Sequence, residues 1–86
     1  RRALQRGSDA IAAGERDPRQ VMAVMADEVA SEPLADLDYA AAVDPTTLQV
    51  PERIGDETRL LLAARVGRPR LIDNLGVIAP EGNDHD

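Results

Sequence analysis

The chain has 86 residues, a formal net charge of −6 and one aromatic side chain, Tyr39, so it forms one small domain whose core must come from Leu, Ile, Val, Met and Ala. Its ten basic residues are all arginine, with no run interleaved with aromatics, and the acidic surplus excludes general binding to a nucleic-acid backbone. Cysteine is absent, which excludes disulfides and thiolate chemistry, and no apolar run approaches the roughly 20 residues that span a bilayer. No secretory start is visible either, and the expectation is a cytoplasmic domain that meets neither membrane nor nucleic acid.

In chain order, Arg1–Gly14 places Leu4, Ile11 and the alanines at 3, 10 and 13 at helical spacing. Gly7 and Ser8 lower the propensity of its middle, and Gly14 serves as its C-terminal cap. No capping residue precedes Arg1, which predicts a longer helix cut at a domain or fragment boundary.

Asp17-Pro18-Arg19-Gln20 marks the next helix start. Asp17 accepts from the free amides of the first turn, Pro18 fits the first helical position, and Gln20 completes a capping box. The helix should run from Pro18 to about Ala30 with Val21, Met25 and Glu28/Val29 on one side and Val24 beside them. Met22 and Met25 read as core filling rather than a ligand groove. Arg19, Asp27 and the far side of Glu28 form the solvated face.

Ser31-Glu32-Pro33 ends that helix. Leu37–Val43 then alternates as a strand, with Leu37, Tyr39, Ala41 and Val43 on one face and Asp38, Ala40 and Ala42 on the other. Tyr39 is expected to be the largest apolar body of the core, its hydroxyl reaching the rim. A turn follows at Asp44-Pro45-Thr46-Thr47, then a short extended piece, Leu48–Pro51, and a polar link, Glu52–Thr58. The charges of that link match no calcium loop and read as solvent-exposed.

Arg59–Val77 contains two apolar-rich runs joined at Val66-Gly67-Arg68-Pro69-Arg70, too short a connection for anything but an antiparallel hairpin. Leu60, Leu62 and Ala64 share one face, and Leu61, Ala63 and Arg65 share the other. In the returning run Asp73 and Asn74 put polar groups on both faces, which suggests a bulge or an edge strand. A catalytic reading makes Asp73 a base or positioner with Arg65 or Arg70 contacting an anion. The structural reading gives Asp73 a salt bridge or backbone donors and lets Asn74 fix a loop; no His, Lys or Cys completes a reaction centre, which favours the structural reading. His85 stands alone between Asp84 and Asp86 in a polar segment, 79–86, expected to be a flexible tail.

The element order, helix, helix, strand, loop, strand, turn, strand, predicts an α+β two-layer domain over 1–78, two helices packed on a three-stranded antiparallel sheet. The sheet face carrying Ala40 and Ala42 should be partly open and suited to packing on another domain.

Leu37-Asp38-Tyr39, Val43-Asp44-Pro45-Thr46-Thr47-Leu48, Leu60-Leu61-Leu62-Ala63-Ala64-Arg65-Val66-Gly67 and Arg70-Leu71-Ile72-Asp73-Asn74-Leu75 form an ordered set. Together they resemble the C-terminal domain of the pantoate–beta-alanine ligases (pantothenate synthetases). The closely spaced AARVG and RLIDN carry most of the specificity. The resemblance extends to about Val77. It implies an enzyme that joins pantoate to ATP, forming pantoyl adenylate and pyrophosphate, and then lets beta-alanine displace AMP to give pantothenate. It further implies a nucleotide-binding N-terminal domain with an HxGH histidine pair, Mg2+ with the ATP, dimerisation through that larger domain, and a C-terminal domain lying over the cleft as a lid.

This sequence has no HxGH and no lysine, so the resemblance assigns it no catalytic, cofactor-binding or metal-binding residue. The expectation is a ligase fragment that binds no cofactor and is inactive alone. The alternative is a free-standing interaction module whose open sheet face binds another protein.

Overall fold

In the computed structural model, which describes residues 2–80, the chain runs α1 (Arg2–Ala12), α2 (Pro18–Ala30), β1 (Ala35–Val43), β2 (Glu57–Val66) and β3 (Arg70–Ile78). Helix α1 stops where Gly14 takes φ +111°, a backbone region that favours glycine. The Gly14 amide donates to Ile11 O at 3.0 Å and the Glu15 amide to Ala10 O at 2.9 Å, the paired bonds of a Schellman ending. Arg16 Nη1 adds bonds to Ile11 O and Glu15 O, at 3.0 and 2.8 Å.

Helix α2 begins as its capping signal predicts. Asp17 Oδ1 accepts from the Arg19 amide at 3.0 Å, and Pro18 opens the helix. The second half of the box differs from expectation: the Asp17 amide donates to Glu15 Oε2 at 3.1 Å, not to Gln20. The tight turn after Gly14 brings Glu15 over the helix start, while Gln20 stays exposed.

The sheet has the order β1-β2-β3 and is antiparallel throughout, so β3 is an edge strand, as the polar residues on both its faces suggested. Gly67, at φ +69°, and a hydrogen bond donated by the Val66 amide to Pro69 O at 3.0 Å turn the hairpin. The core lies between the helices and one sheet face. It gathers Leu4 and Ile11 from α1, Val21, Met25 and Val29 from α2, and Ala42, Leu60, Leu62, Ala64 and Val77 from the strands. Each large aliphatic side chain buried there contributes about 1.5–3 kcal/mol, an upper figure because the unfolded chain is already partly collapsed.

Strand β1 departs most from expectation. Leu37 opposes Ala64 and Tyr39 opposes Ala63, so Asp38 is an extra residue with no partner of its own. Such a bulge shifts the alternation by one. Ala35 and Leu37 face the helices before it and Ala40 and Ala42 after it, so the predicted open alanine face is in fact the inner one. Tyr39 consequently lies on the outer face and is 43% exposed, outside the core that was expected to hold it. Strict alternation cannot anticipate this, because nothing in the local composition marks Asp38 as supernumerary.

The long link also differs. Leu48–Pro51 forms no strand; Asp44 organises the turn by accepting from the Thr46 and Thr47 amides at 2.7 and 3.3 Å, and Leu48 sits at φ 60°. Ile54 is buried in the core, and its amide donates to Arg16 O at 2.8 Å, tying the link to the helix connection. Strand β2 begins at Glu57, so Thr58, expected in the polar link, is a buried strand residue. Of the predicted tail, residues 81–86, including His85, lie outside the described residues. Among those described, no helix is long and apolar enough to cross a membrane.

Candidate functional site

Asp73 and Asn74 are neighbours on β3, and strand alternation sends them to opposite sides of the sheet. Asp73 opposes Leu62 and therefore projects to the helix side, where it is half-buried; its Oδ1 accepts from the Asn74 amide at 2.8 Å. It lines a largely apolar hollow of about 260 Å3 with Leu62, Ala64, Val66, Leu71 and Ile72, between the hairpin end of the sheet and the two helices.

Arg2 and Glu28 edge the same hollow. Glu28 is not simply part of a solvated face: its side chain is only 14% exposed, and its two oxygens take Arg2 Nη1 and Arg6 Nη1, each at 3.3 Å. A carboxylate so placed clasps α1 to α2 from above the core. Asp27, on the preceding position, is exposed as expected.

On the opposite face Asn74 Oδ1 accepts from Arg59 Nη1 at 2.8 Å. The Arg59 guanidinium lies over Gly76, where a Cβ would come within 3.4 Å of Nη2. Arg65 and Arg70 are register partners on this same outer face, and Arg70 Nε pairs with Asp38 Oδ2 at 3.0 Å. Neither arginine shares a face with Asp73. The pairing that a catalytic reading of Asp73 required is therefore not assembled.

Tyr39, Ala63 and Ile72 form a row across the outer face in register. Ala63 is fully buried there although no helix covers it, because Tyr39 and Ile72 flank it on the two neighbouring strands. Residue reasoning overlooked the Arg59–Asn74 pair. The signal for it was present, since a hairpin centred between Val66 and Arg70 sets Asn74 one diagonal step from Arg59.

Among the described residues no three His, Cys, Asp or Glu side chains converge as metal ligands. The described surface carries an apolar hollow, an apolar row and an oriented guanidinium.

The family model for pantoate-beta-alanine ligase matches residues 1–76. Among curated relatives, the pantothenate synthetase of Heliobacterium modesticaldum is 40% identical over 76 residues, 88% of this chain and 27% of that protein. The pantothenate synthetase of Chloroflexus aurantiacus is 46% identical over 74 residues, 85% of this chain and 26% of that protein. A bifunctional pantoate ligase/cytidylate kinase of Synechococcus is 42% identical over 83 residues, 96% of this chain and 15% of that protein. The crystal structure of pantothenate synthetase from Thermus thermophilus superposes with a TM-score of 0.80 at 28% identity, covering 92% of this chain and 28% of that one. The chain thus spans about a quarter or less of the length of these relatives.

Proposed function

The chain belongs to the pantoate-beta-alanine ligase family, and from that premise we propose that residues 1–78 are the C-terminal, lid-like domain of a larger ATP-dependent ligase. The parent enzyme condenses pantoate with beta-alanine. The observation that carries this reading is the family match over residues 1–76, nearly the whole described fold.

In the proposed reaction a pantoate carboxylate oxygen attacks the α-phosphorus of ATP and pyrophosphate leaves, giving pantoyl adenylate. The amine of beta-alanine then attacks the acyl carbon, AMP departs with the acyl C–O bond pair, and the amine proton is lost to solvent or base. Both steps demand groups that hold phosphates and align two reactants. This chain has no lysine and a single histidine, and the carboxylates among the described residues make no closed set for Mg2+. Following what the family resemblance implies, we assign ATP with its Mg2+ to an N-terminal nucleotide-binding domain of the same parent, which also carries the dimer contact of a cytoplasmic enzyme.

An acyl adenylate is open to hydrolysis, so a domain that covers it raises the yield by excluding water. A rigid three-stranded sheet backed by two helices suits that task without supplying a reacting group. The test is an assay with ATP, pantoate and beta-alanine. The parent protein should form pantothenate and AMP in equal amounts, and the 86-residue chain alone should form none. Turnover by the purified chain would remove the claim of incompetence, and an inactive parent would remove the ligase reading.

A further inference from the structure

We infer that the hollow where Arg16 of the helix connection meets Arg53 of the long link is a binding site for the oxyanion group, a carboxylate or a phosphate, of a small ligand. It shares no lining residue with the hollow of Asp73 and does not rest on the ligase reading.

The first observation concerns ion pairing. The chain has 16 acidic residues against 10 arginines, so carboxylate partners are in excess. Arg2, Arg6, Arg19 and Arg70 each meet one at 3.0–3.5 Å. Among the described residues Arg16 and Arg53 meet none, and both line one hollow of about 460 Å3.

The second is the way Arg16 is held. It is half-buried, and its Nη1 donates both protons to backbone, to Ile11 O at 3.0 Å and to Glu15 O at 2.8 Å. These bonds fix the guanidinium at the end of α1 while the Nε–H and one Nη2–H, parallel along one edge of the planar group, remain unused. That edge matches two oxygens of a carboxylate or a phosphate. Its rigid backbone anchorage lowers the entropy lost when an anion binds.

The third is that hydrogen bonds between distant segments build the hollow. The Ile54 amide donates to Arg16 O at 2.8 Å, which seats Arg53 beside the helix connection, and the Ala79 amide donates to Asp56 O at 2.8 Å, which brings in the end of β3. Above Gly55 the space is open, since a Cβ there would meet nothing within 4 Å. Asp56 is the one carboxylate residue lining the hollow, so two guanidinium groups leave it net positive. The same arginines edge a second hollow of about 470 Å3, but Glu15, Asp17 and Glu52 line that one and offset its positive charge.

The experiment is hydrogen exchange of the Ile54 amide in the full-length parent, a readout of local opening that is independent of pantothenate formation. Sodium phosphate and sodium acetate are titrated separately through the millimolar range against chloride of matched ionic strength. At ten times the dissociation constant, exchange should slow about tenfold. Slowing by phosphate alone assigns a phosphorylated ligand, slowing by acetate alone assigns a carboxylate, and slowing by both supports an oxyanion site open to either. No saturable slowing with either would overturn the proposal. Arg53→Gln should remove the effect, whereas Arg68→Gln, the same charge change at the far end of β2, should leave it intact. Equal loss in these two variants would reduce the effect to net charge and overturn the site. Asp56→Asn should tighten binding, a gain that a misfolded variant does not produce; unchanged or weaker binding would show that the anion lies elsewhere.

Discussion

Gly7 of α1 sits so close to Met25 of α2 that a Cβ on the glycine would lie 2.9 Å from Met25 Cγ, and 3.0 Å from Leu60 Cδ1 of the sheet below. The glycine that weakens the helix as a local sequence is the point where three elements touch. Replacing it with alanine gains about 0.8–1.0 kcal/mol of helix propensity but overpacks the core at a cost of about 1–3 kcal/mol. Gly7→Ala should therefore lower the stability by about 1 kcal/mol and the thermal midpoint by about 4–8 °C. A higher midpoint in calorimetry would mean that the flexible Met25 side chain moves aside without cost.

The two halves of the α2 start separate cleanly by mutation. Asp17→Ala removes the cap on the Arg19 amide and should cost about 1 kcal/mol in urea unfolding. Gln20→Ala should change almost nothing, because Glu15 holds the amide that Gln20 was expected to hold. Equal losses from the two variants would contradict the observed cap.

Glu28 joins two arginines of α1 while being largely shielded from water. Glu28→Gln keeps the shape and removes the charge, so stability should fall by about 1 kcal/mol at low salt, the upper range for a pair with one exposed partner. Because Arg2 and Arg6 remain solvent-accessible, the difference should shrink in about 1 M salt, where the screening length is near 3 Å. A salt-independent loss in chemical denaturation would point to packing rather than charge.

The bulge makes a paired prediction. Tyr39→Ala should cost below about 1.5 kcal/mol, against about 3–5 kcal/mol for an aromatic deleted from a core. Deleting Asp38 makes Leu37 and Tyr39 consecutive opposite Ala64 and Ala63, a regular pairing that keeps Ala40 and Ala42 toward the helices and Tyr39 outside. That variant should therefore keep cooperative thermal unfolding, losing only the Arg70–Asp38 ion pair. A deletion variant without a cooperative transition would contradict Asp38 as the extra residue.

Local chemistry alone was sufficient wherever one short segment decides the outcome. Asp17-Pro18 starts α2, Gly14 ends α1, and Gly67 with Pro69 turns the hairpin, because caps and turns satisfy their own backbone groups within a few residues. The inward faces of α2 and β2 follow from periodicity for the same reason. The order of elements then implied two helices on three antiparallel strands, and the AARVG and RLIDN segments pointed to the ligase family.

Tertiary structure decided what depends on residues far apart in sequence. Asp38 becomes an extra residue only against β2, so the face of β1 and the exposure of Tyr39 were not available from alternation. Ile54 enters the core because its amide reaches Arg16, and Glu28 becomes a clasp because α1 brings Arg2 and Arg6 to it. The separation of Asp73 from Arg65 and Arg70, and the seating of Arg59 between Asn74 and Gly76, likewise follow from strand register. Composition specifies which groups are available, whereas pairing between strands and helices fixes which face each one occupies.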